Sequence, residues 1–210
     1  MKLEWEVVGV ILTAIIAIYA LIQTSNQIKL SNKQALFERR LVAYSRIAEI
    51  QNLVKENRSH LEAENGSDNL FMTIDLHFNW FTNSPELESI YKVINEDMGT
   101  TDHKNFLYKL SELDKLSLEA KLVFSSKQAK MLSNFVNDFR NFLFGMYQYQ
   151  IFFNNLRESS EKWDWTYEEA LEKLGGEKYQ DKLIEQINTL KISYELVIEN
   201  SKKIESQIKL

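Results

Sequence analysis

The sequence predicts an all-α protein, in which an N-terminal transmembrane helix precedes an antiparallel helical bundle with three long helices and several short ones. Three observations predict this fold. The chain has no charged residue from Val7 to Ile28, it contains one proline and six glycines, and apolar residues recur at intervals of three and four positions. No segment shows the alternation that is typical of a half-buried strand.

The uncharged run predicts a membrane anchor formed by residues 1–28. Its strongly apolar part covers the 16 residues from Val7 to Ile22, and the uncharged residues after it extend the run toward the roughly 20 residues that a bilayer needs. The residues expected in the span are Trp5, Val7, Ile11, Ile15, Tyr19 and Ile22. A cleaved signal peptide and a buried core helix are the alternatives, but the chain begins MKLEWE, whereas a signal peptide begins with a basic segment.

Basic residues predict the direction of the span. Only Lys2 precedes it, whereas several basic residues follow it closely. The first four are Lys29, Lys33, Arg39 and Arg40. The positive-inside rule therefore places a short N-terminus outside the cell membrane and a helical domain, residues 29–210, in the cytoplasm. These four side chains are also expected to contact anionic membrane lipid; the alternative is that they only set the orientation of the span.

The first half of the domain is predicted to contain one long helix, two short ones and one of intermediate length. The first, Lys29–Asn57, has an apolar stripe at Phe37, Leu41, Tyr44 and Ala48, which is widened by Leu36, Ile47, Ile50 and Val54. Short helices are expected over Leu70–Phe81 and from Pro85 to Met98, and a longer one over Lys104–Phe124, with Asp102 as its N-cap.

The second half is predicted to contain two long helices separated by a short one. The first runs from Lys127 to Glu158 after Ser125 or Ser126. Thr166 and Glu169 have the spacing of a capping box for the short helix, which closes at Gly175 and Gly176.

The final helix, from Lys178 to the C-terminus, has a seam with a regular 4-3 spacing. Its residues are Leu183, Ile187, Leu190, Tyr194, Val197 and Ile204. Within the chain, this seam is expected to pack against the first soluble helix. The alternative is an intermolecular coiled coil, which would make the protein a homodimer.

Aromatic residues supply the candidate partner-binding surface. Between Arg140 and Arg157 there is no charge, and the aromatic residues exceed what one helix face can hold. Three interpretations are open: a central helix surrounded by neighbours, a partner-binding surface, or a second membrane-inserting segment. The candidate residues are Phe142, Phe144, Tyr147, Tyr149, Phe152, Trp163 and Trp165. The two tryptophans either clamp a loop to the core or mark a docking site.

Catalytic and metal-binding patterns are missing from the sequence. None of His60, His77 and His103 has the glutamate three residues earlier that a carboxylate-bridged metal site in a bundle needs, and the chain has no cysteine. The net charge of −5 argues against a nucleic-acid partner. We therefore expect no enzyme activity, no metal and no cofactor.

The stretch KQALFERRLVAYSRIAEIQNLV, which follows the anchor, resembles the start of uncharacterised bacterial single-pass membrane proteins. In these proteins the span leads into a helix of the type K-Q-x-L-F-E-x-R-L. The later NSPELESIY is similar to their cytosolic helical domains of unknown function. The resemblance implies no functional residue, although some such proteins resemble components of mobile-element or phage-defence loci.

The combined observations predict a membrane-anchored protein-interaction module, a scaffold or sensor that binds an unidentified protein. The alternative is a membrane-perturbing effector that oligomerises at the bilayer and inserts residues 139–153.

Overall fold

The computed structural model describes residues 2–57, 93 and 99–208, together with their side chains except at positions 2–6 and 126. All regular structure within these ranges is helical. The helices are α1 (Lys2–Glu56), α2 (Thr101–Val123), α3 (Ser126–Trp163), α4 (Tyr167–Lys173), α5 (Glu177–Glu199) and α6 (Ser201–Glu205). The expected all-α fold is therefore confirmed. The short helices predicted over Leu70–Phe81 and Pro85–Met98 lie outside the described residues.

Helix α1 joins the predicted anchor and the first soluble helix without a break. It is 55 residues long, which corresponds to about 80 Å. Every described side chain from Val7 to Leu36 is exposed, and burial begins only in the last third of the helix. The helix thus has a bare N-terminal part and a C-terminal part that belongs to the bundle.

Helix α3 is the centre of the bundle. Its buried residues cover more than half of the helix circumference, because α2 packs along one side and α5 along another. The Ser117 hydroxyl of α2 donates to the Ser133 carbonyl of α3 at 3.1 Å, and Lys182 Nζ of α5 donates to Gln148 Oε1 at 3.0 Å. The interpretation of residues 140–157 as part of a central helix is confirmed.

The seam of the last long helix is buried, but its neighbour differs from the expected one. It packs along α3, and Phe135 and Tyr194 lie with their ring centroids 6.2 Å apart. The expectation that it lies along the first soluble helix is wrong, because α3 has an apolar surface wide enough to pack against α2 and α5 together. The last helix is also interrupted at Asn200, whose side-chain amide donates to the Leu196 carbonyl at 2.9 Å.

The part of α1 in the bundle buries only part of the predicted stripe, namely Ile47, Ile50 and Val54. Its core residues are Ala43, Ile47, Ile50, Leu53 and Val54. Of the predicted set, Leu41 is 47% exposed, while Tyr44 is partly buried beside the core. Both sets contain a 4-3-4 spacing, so spacing alone does not decide which face of the helix turns inward.

Local signals at the helix ends were more accurate. In α4, the Thr166 N–H donates to Glu169 Oε2 at 3.0 Å and the Glu169 N–H donates to Thr166 Oγ1 at 3.2 Å, which confirms the capping box. Gly175 has a φ of +70°, as expected of a glycine that ends a helix. The cap of α2 is Thr100 rather than Asp102, since Thr100 Oγ1 accepts from the His103 N–H at 3.3 Å.

Candidate functional site

The first candidate site is the bare part of α1. The side chains of Val7, Ile11, Ile15, Tyr19 and Ile22 are all more than half exposed. The helix is long and apolar enough to cross a membrane, and none of its apolar stretch is buried against the rest of the chain. The side chain of Trp5 lies outside the described residues. An apolar helix surface of this length is stable only in a non-aqueous environment, such as lipid.

A stalk follows the apolar stretch. We use this name for residues 23–39, the exposed part of α1 between Ile22 and the bundle. Lys29 and Lys33 are exposed about 10 and 16 Å beyond Ile22. Arg39 is exposed as well, but lies about 25 Å beyond Ile22.

Arg40 does not have the lipid-contacting role that the sequence suggested. Its Nε donates to the Val123 carbonyl at 2.6 Å and its Nη1 donates to the Gln207 carbonyl at 3.0 Å. The carbonyl groups at helix ends lack partners within the helix and carry partial negative charge, so a guanidinium group satisfies them well. Arg40 therefore connects α1 to the end of α2 and to the stretch after α6.

Gln207 completes this contact, which we call the proximal junction (Arg40, Val123, Ser125 and Gln207). Gln207 Oε1 accepts from the Ser125 N–H at 3.0 Å, immediately before α3. Close by, burial raises the pKa of the Tyr44 hydroxyl, and the nearby Glu205 carboxylate raises it further. The junction thus holds α1, α2, α3 and the C-terminal stretch together at the end of the bundle next to the stalk.

Most of the predicted partner-binding aromatic residues are buried. Phe142, Tyr147, Tyr149 and Phe152 are core residues, and Phe144 is partly buried beside them. In this conformation these five side chains do not form a free surface, which corrects the sequence-based interpretation. The physical reason is that α2, α4 and α5 together cover most of the circumference of this part of α3.

Polar contacts secure two of these rings in the core. The Tyr147 hydroxyl and His103 Nδ1 form a hydrogen bond at 3.0 Å. Burial raises the pKa of the Tyr149 hydroxyl, which also interacts with Gln180 and Tyr167. The hydroxyl groups therefore hold the rings in position within the bundle.

Trp163 and Trp165 behave differently from the other aromatic residues. Their rings are stacked, with centroids 6.1 Å apart and an interplanar angle of 21°. Trp165 packs partly against the core, and its carbonyl accepts from the Ser160 hydroxyl at 2.7 Å. Trp163 is 57% exposed. Each tryptophan therefore fits one of the two interpretations. Trp165 clamps the loop to the core, and Trp163 presents a ring to solvent.

A lysine ammonium group lies over each of these rings. Lys162 Nζ is 5.2 Å from the centroid of Trp163, and Lys173 Nζ is 4.1 Å from that of Trp165. Both distances are within the range of a cation–π interaction. We call these four residues the distal tip.

The distal tip lies at the end of the bundle away from the anchor. Arg40 contacts Val123 and Arg46 contacts Glu112, so α2 runs antiparallel to α1, and α3 in turn runs antiparallel to α2. Helix α3 therefore points away from the stalk. It begins at the proximal junction and has 38 residues, so the tip is about 57 Å beyond the junction.

A cleft of about 320 Å³ separates α1 from α2. Its floor includes Leu113, Leu116 and Phe139, and its rim carries charges of both signs. On this rim, Arg46 Nη2 lies 3.4 Å from Glu112 Oε2, and a hydrogen bond from Lys115 lowers the pKa of Glu112. No group of histidine and carboxylate side chains within the described parts of the chain is arranged to hold a metal ion.

Comparison of the chain with protein-family models, with curated proteins and with solved structures finds no match. The resemblance to bacterial single-pass membrane proteins therefore stays a prediction. Sequence reasoning missed the proximal junction and the cleft. Each is formed by residues far apart in the chain, such as Arg40 and Gln207, which are separated by 167 positions.

Proposed function

We propose that the protein is a membrane-anchored interaction module, a non-catalytic scaffold or sensor that presents the distal tip to a protein partner in the cytoplasm. The observation that carries the proposal is the continuity of α1. One helix is bare and apolar at its start and is packed into the bundle at its end. Because no break separates the two parts, the anchor holds the bundle at a set height.

The heights of the two ends of the bundle support this proposal. Arg40 lies 18 residues after Ile22, so the proximal junction stands about 27 Å beyond the apolar stretch. The distal tip is about 57 Å farther along α3. A partner in the cytoplasm meets the tip first, whereas the lipid of the same membrane is out of its reach.

Two further expectations belong to the proposal. The short N-terminus lies outside the cell membrane, as the basic residues after the span indicate. A homodimer, if it forms, uses a surface other than the seam, since Leu183, Leu190 and Val197 are buried within the bundle.

The test uses full-length protein and two matched variants in native membranes. Wild type, Trp163→Ala and Leu122→Ala are expressed at equal levels, crosslinked and purified. Both substitutions remove an exposed apolar side chain, but only the first lies at the distal tip. We expect all three proteins to resist alkaline extraction from membranes. We also expect one protein partner to be recovered with wild type and Leu122→Ala and to be lost with Trp163→Ala.

Two results would contradict the proposal. The first is recovery of only self-complexes and lipid. The second is depolarisation of cells on induction, which is the behaviour of an effector that inserts residues 139–153. Insertion requires core residues such as Phe142 and Phe152 to leave the bundle, so the depolarisation assay tests the effector hypothesis without any substitution in the core.

A further inference from the structure

Exposed aromatic surface and excess acidic charge coincide at the distal tip. The segment 157–178 contains seven acidic and four basic residues, so its net charge is −3. Glu169 is used in the capping box of α4. None of the seven carboxylates forms an ion pair with any residue that the structure describes. The segment therefore carries an excess of negative charge that no described residue neutralises through an ion pair.

The lysines of the tip show which chemistry its rings accept. Lys162 and Lys173 have carboxylates close by in the sequence, yet their ammonium groups lie over Trp163 and Trp165. A tryptophan face attracts a cation through its negative quadrupole, and a guanidinium group also stacks on it through its flat shape. A partner's cation can take the place of one of these lysines without any rearrangement of the rings.

The position and the charge of the distal tip limit the kinds of molecule that can bind it. It lies at the end of α3, on the side of the bundle away from the anchor. The negative charge excludes attraction to nucleic acid or to anionic lipid. A positively charged protein segment is complementary in both charge and aromatic chemistry.

We infer that the distal tip binds an arginine-rich segment of a protein partner, with guanidinium groups on the rings of both Trp163 and Trp165 and the surrounding carboxylates attracting the segment. The inference rests on the proposed function and specifies the partner's chemistry. Lys162 and Lys173 are internal competitors for the same ring faces. Removal of such a competitor therefore strengthens binding.

The experiment uses full-length protein in nanodiscs of phosphatidylcholine, whose headgroup is neutral overall. The probe is a fluorescein-labelled penta-arginine peptide, and its control is penta-citrulline, which has a similar shape without the charge. Binding is measured by fluorescence anisotropy at near-physiological salt. We expect saturable binding of penta-arginine and none of penta-citrulline. Trp163→Ala is expected to weaken binding at least about threefold.

The decisive comparison is between Lys173→Gln and Lys178→Gln. Both change the net charge by the same amount, but only Lys173 covers a ring; Lys178 is exposed at the start of α5. We expect Lys173→Gln to tighten binding about threefold and Lys178→Gln to have a clearly smaller effect. Circular dichroism of each variant checks that the helices are intact.

Equal effects of the two lysine substitutions would overturn the inference, because they would show attraction by net charge alone. Unchanged binding by Trp163→Ala, or absence of penta-arginine binding, would overturn it as well. These failures are distinguishable from failure of the proposed function. If Trp163→Ala loses the partner in native membranes while penta-arginine does not bind, the module is supported and the arginine-rich partner is wrong.

Discussion

Substitution of Arg40 tests whether the proximal junction stabilises the bundle. Arg40→Ala removes two hydrogen bonds from a charged donor and leaves the Val123 and Gln207 carbonyls without that partner. Such bonds contribute about 1.5–3 kcal/mol each when well shielded. The contact is only part-buried, so we expect a total loss of about 2–4 kcal/mol.

The matched control is Arg39→Ala. Arg39 is the neighbouring residue, carries the same charge and is exposed, so its replacement is expected to change stability by less than about 0.5 kcal/mol. For a domain of this size the expected loss at Arg40 lowers the melting temperature by roughly 4–16 °C. Arg40→Lys keeps the charge but loses the planar fork, so an intermediate decrease is expected.

The assay is thermal unfolding of the full-length protein in an uncharged detergent, followed by circular dichroism. Without anionic lipid, a purely lipid-contacting arginine has no influence on the result. Equal melting temperatures for Arg39→Ala and Arg40→Ala would refute the reasoning, and Arg40 would then return to the group of lipid-contacting candidates. A second measurement in anionic nanodiscs separates the lipid contribution, which we expect to be similar for both positions.

Three further substitutions and one control substitution probe the bundle by the same unfolding assay. Phe142→Ala should cost about 3–5 kcal/mol because it empties a core position, whereas Leu122→Ala, at an exposed position, should stay within about 0.5 kcal/mol. Thr166→Ala removes one half of a capping box and should cost about 1 kcal/mol. Burial raises the pKa of Asp138, and a hydrogen bond from Ser193 opposes this only in part. Asp138→Asn should therefore raise the melting temperature at neutral pH.

The pH dependence at Asp138 has a definite sign. The folded protein holds this proton to a higher pH than the unfolded chain does, so the contribution to stability is complete below the ordinary carboxyl pKa of about 3.9. It is lost as the pH rises from there through the raised pKa. Asp138→Asn should remove this decrease, and an unchanged pH profile of the melting temperature would contradict the argument.

The sequence predicted the features that depend on local spacing. The capping box of Thr166 and Glu169 and the glycine at position 175 need only a few neighbouring residues, and both are present in the structure. The seam from Leu183 to Ile204 is a regular repeat, so its burial was also predictable. The helix against which the seam packs was not predictable, because this depends on the width of the apolar surface of α3.

The candidate site was only partly predictable. The excess of aromatic residues in 140–157 is what a central helix needs, and the same excess suggested a partner-binding surface; composition alone does not separate the two. Trp163 is exposed in the last turn of α3, just before Asp164 adopts the left-handed conformation at a φ of 53°, and its spacing alone did not separate it from the buried aromatic residues. The carbonyl groups that accept hydrogen bonds from Arg40 are 83 and 167 positions away in the chain, so no local sequence pattern predicts these contacts.

Because the stalk is an unbroken helix, its length determines both the height of the bundle and the direction that the bundle faces, which a flexible linker would leave independent. Each residue added between Ile22 and Arg40 lifts the bundle by about 1.5 Å and also turns it by about 100° around the axis of α1. An insertion of seven residues nearly restores the original facing at about 10 Å greater height, whereas an insertion of two turns the tip almost to the opposite side. The length of the stalk therefore sets the direction that the distal tip faces around the axis of α1 as well as the height of the bundle above the membrane.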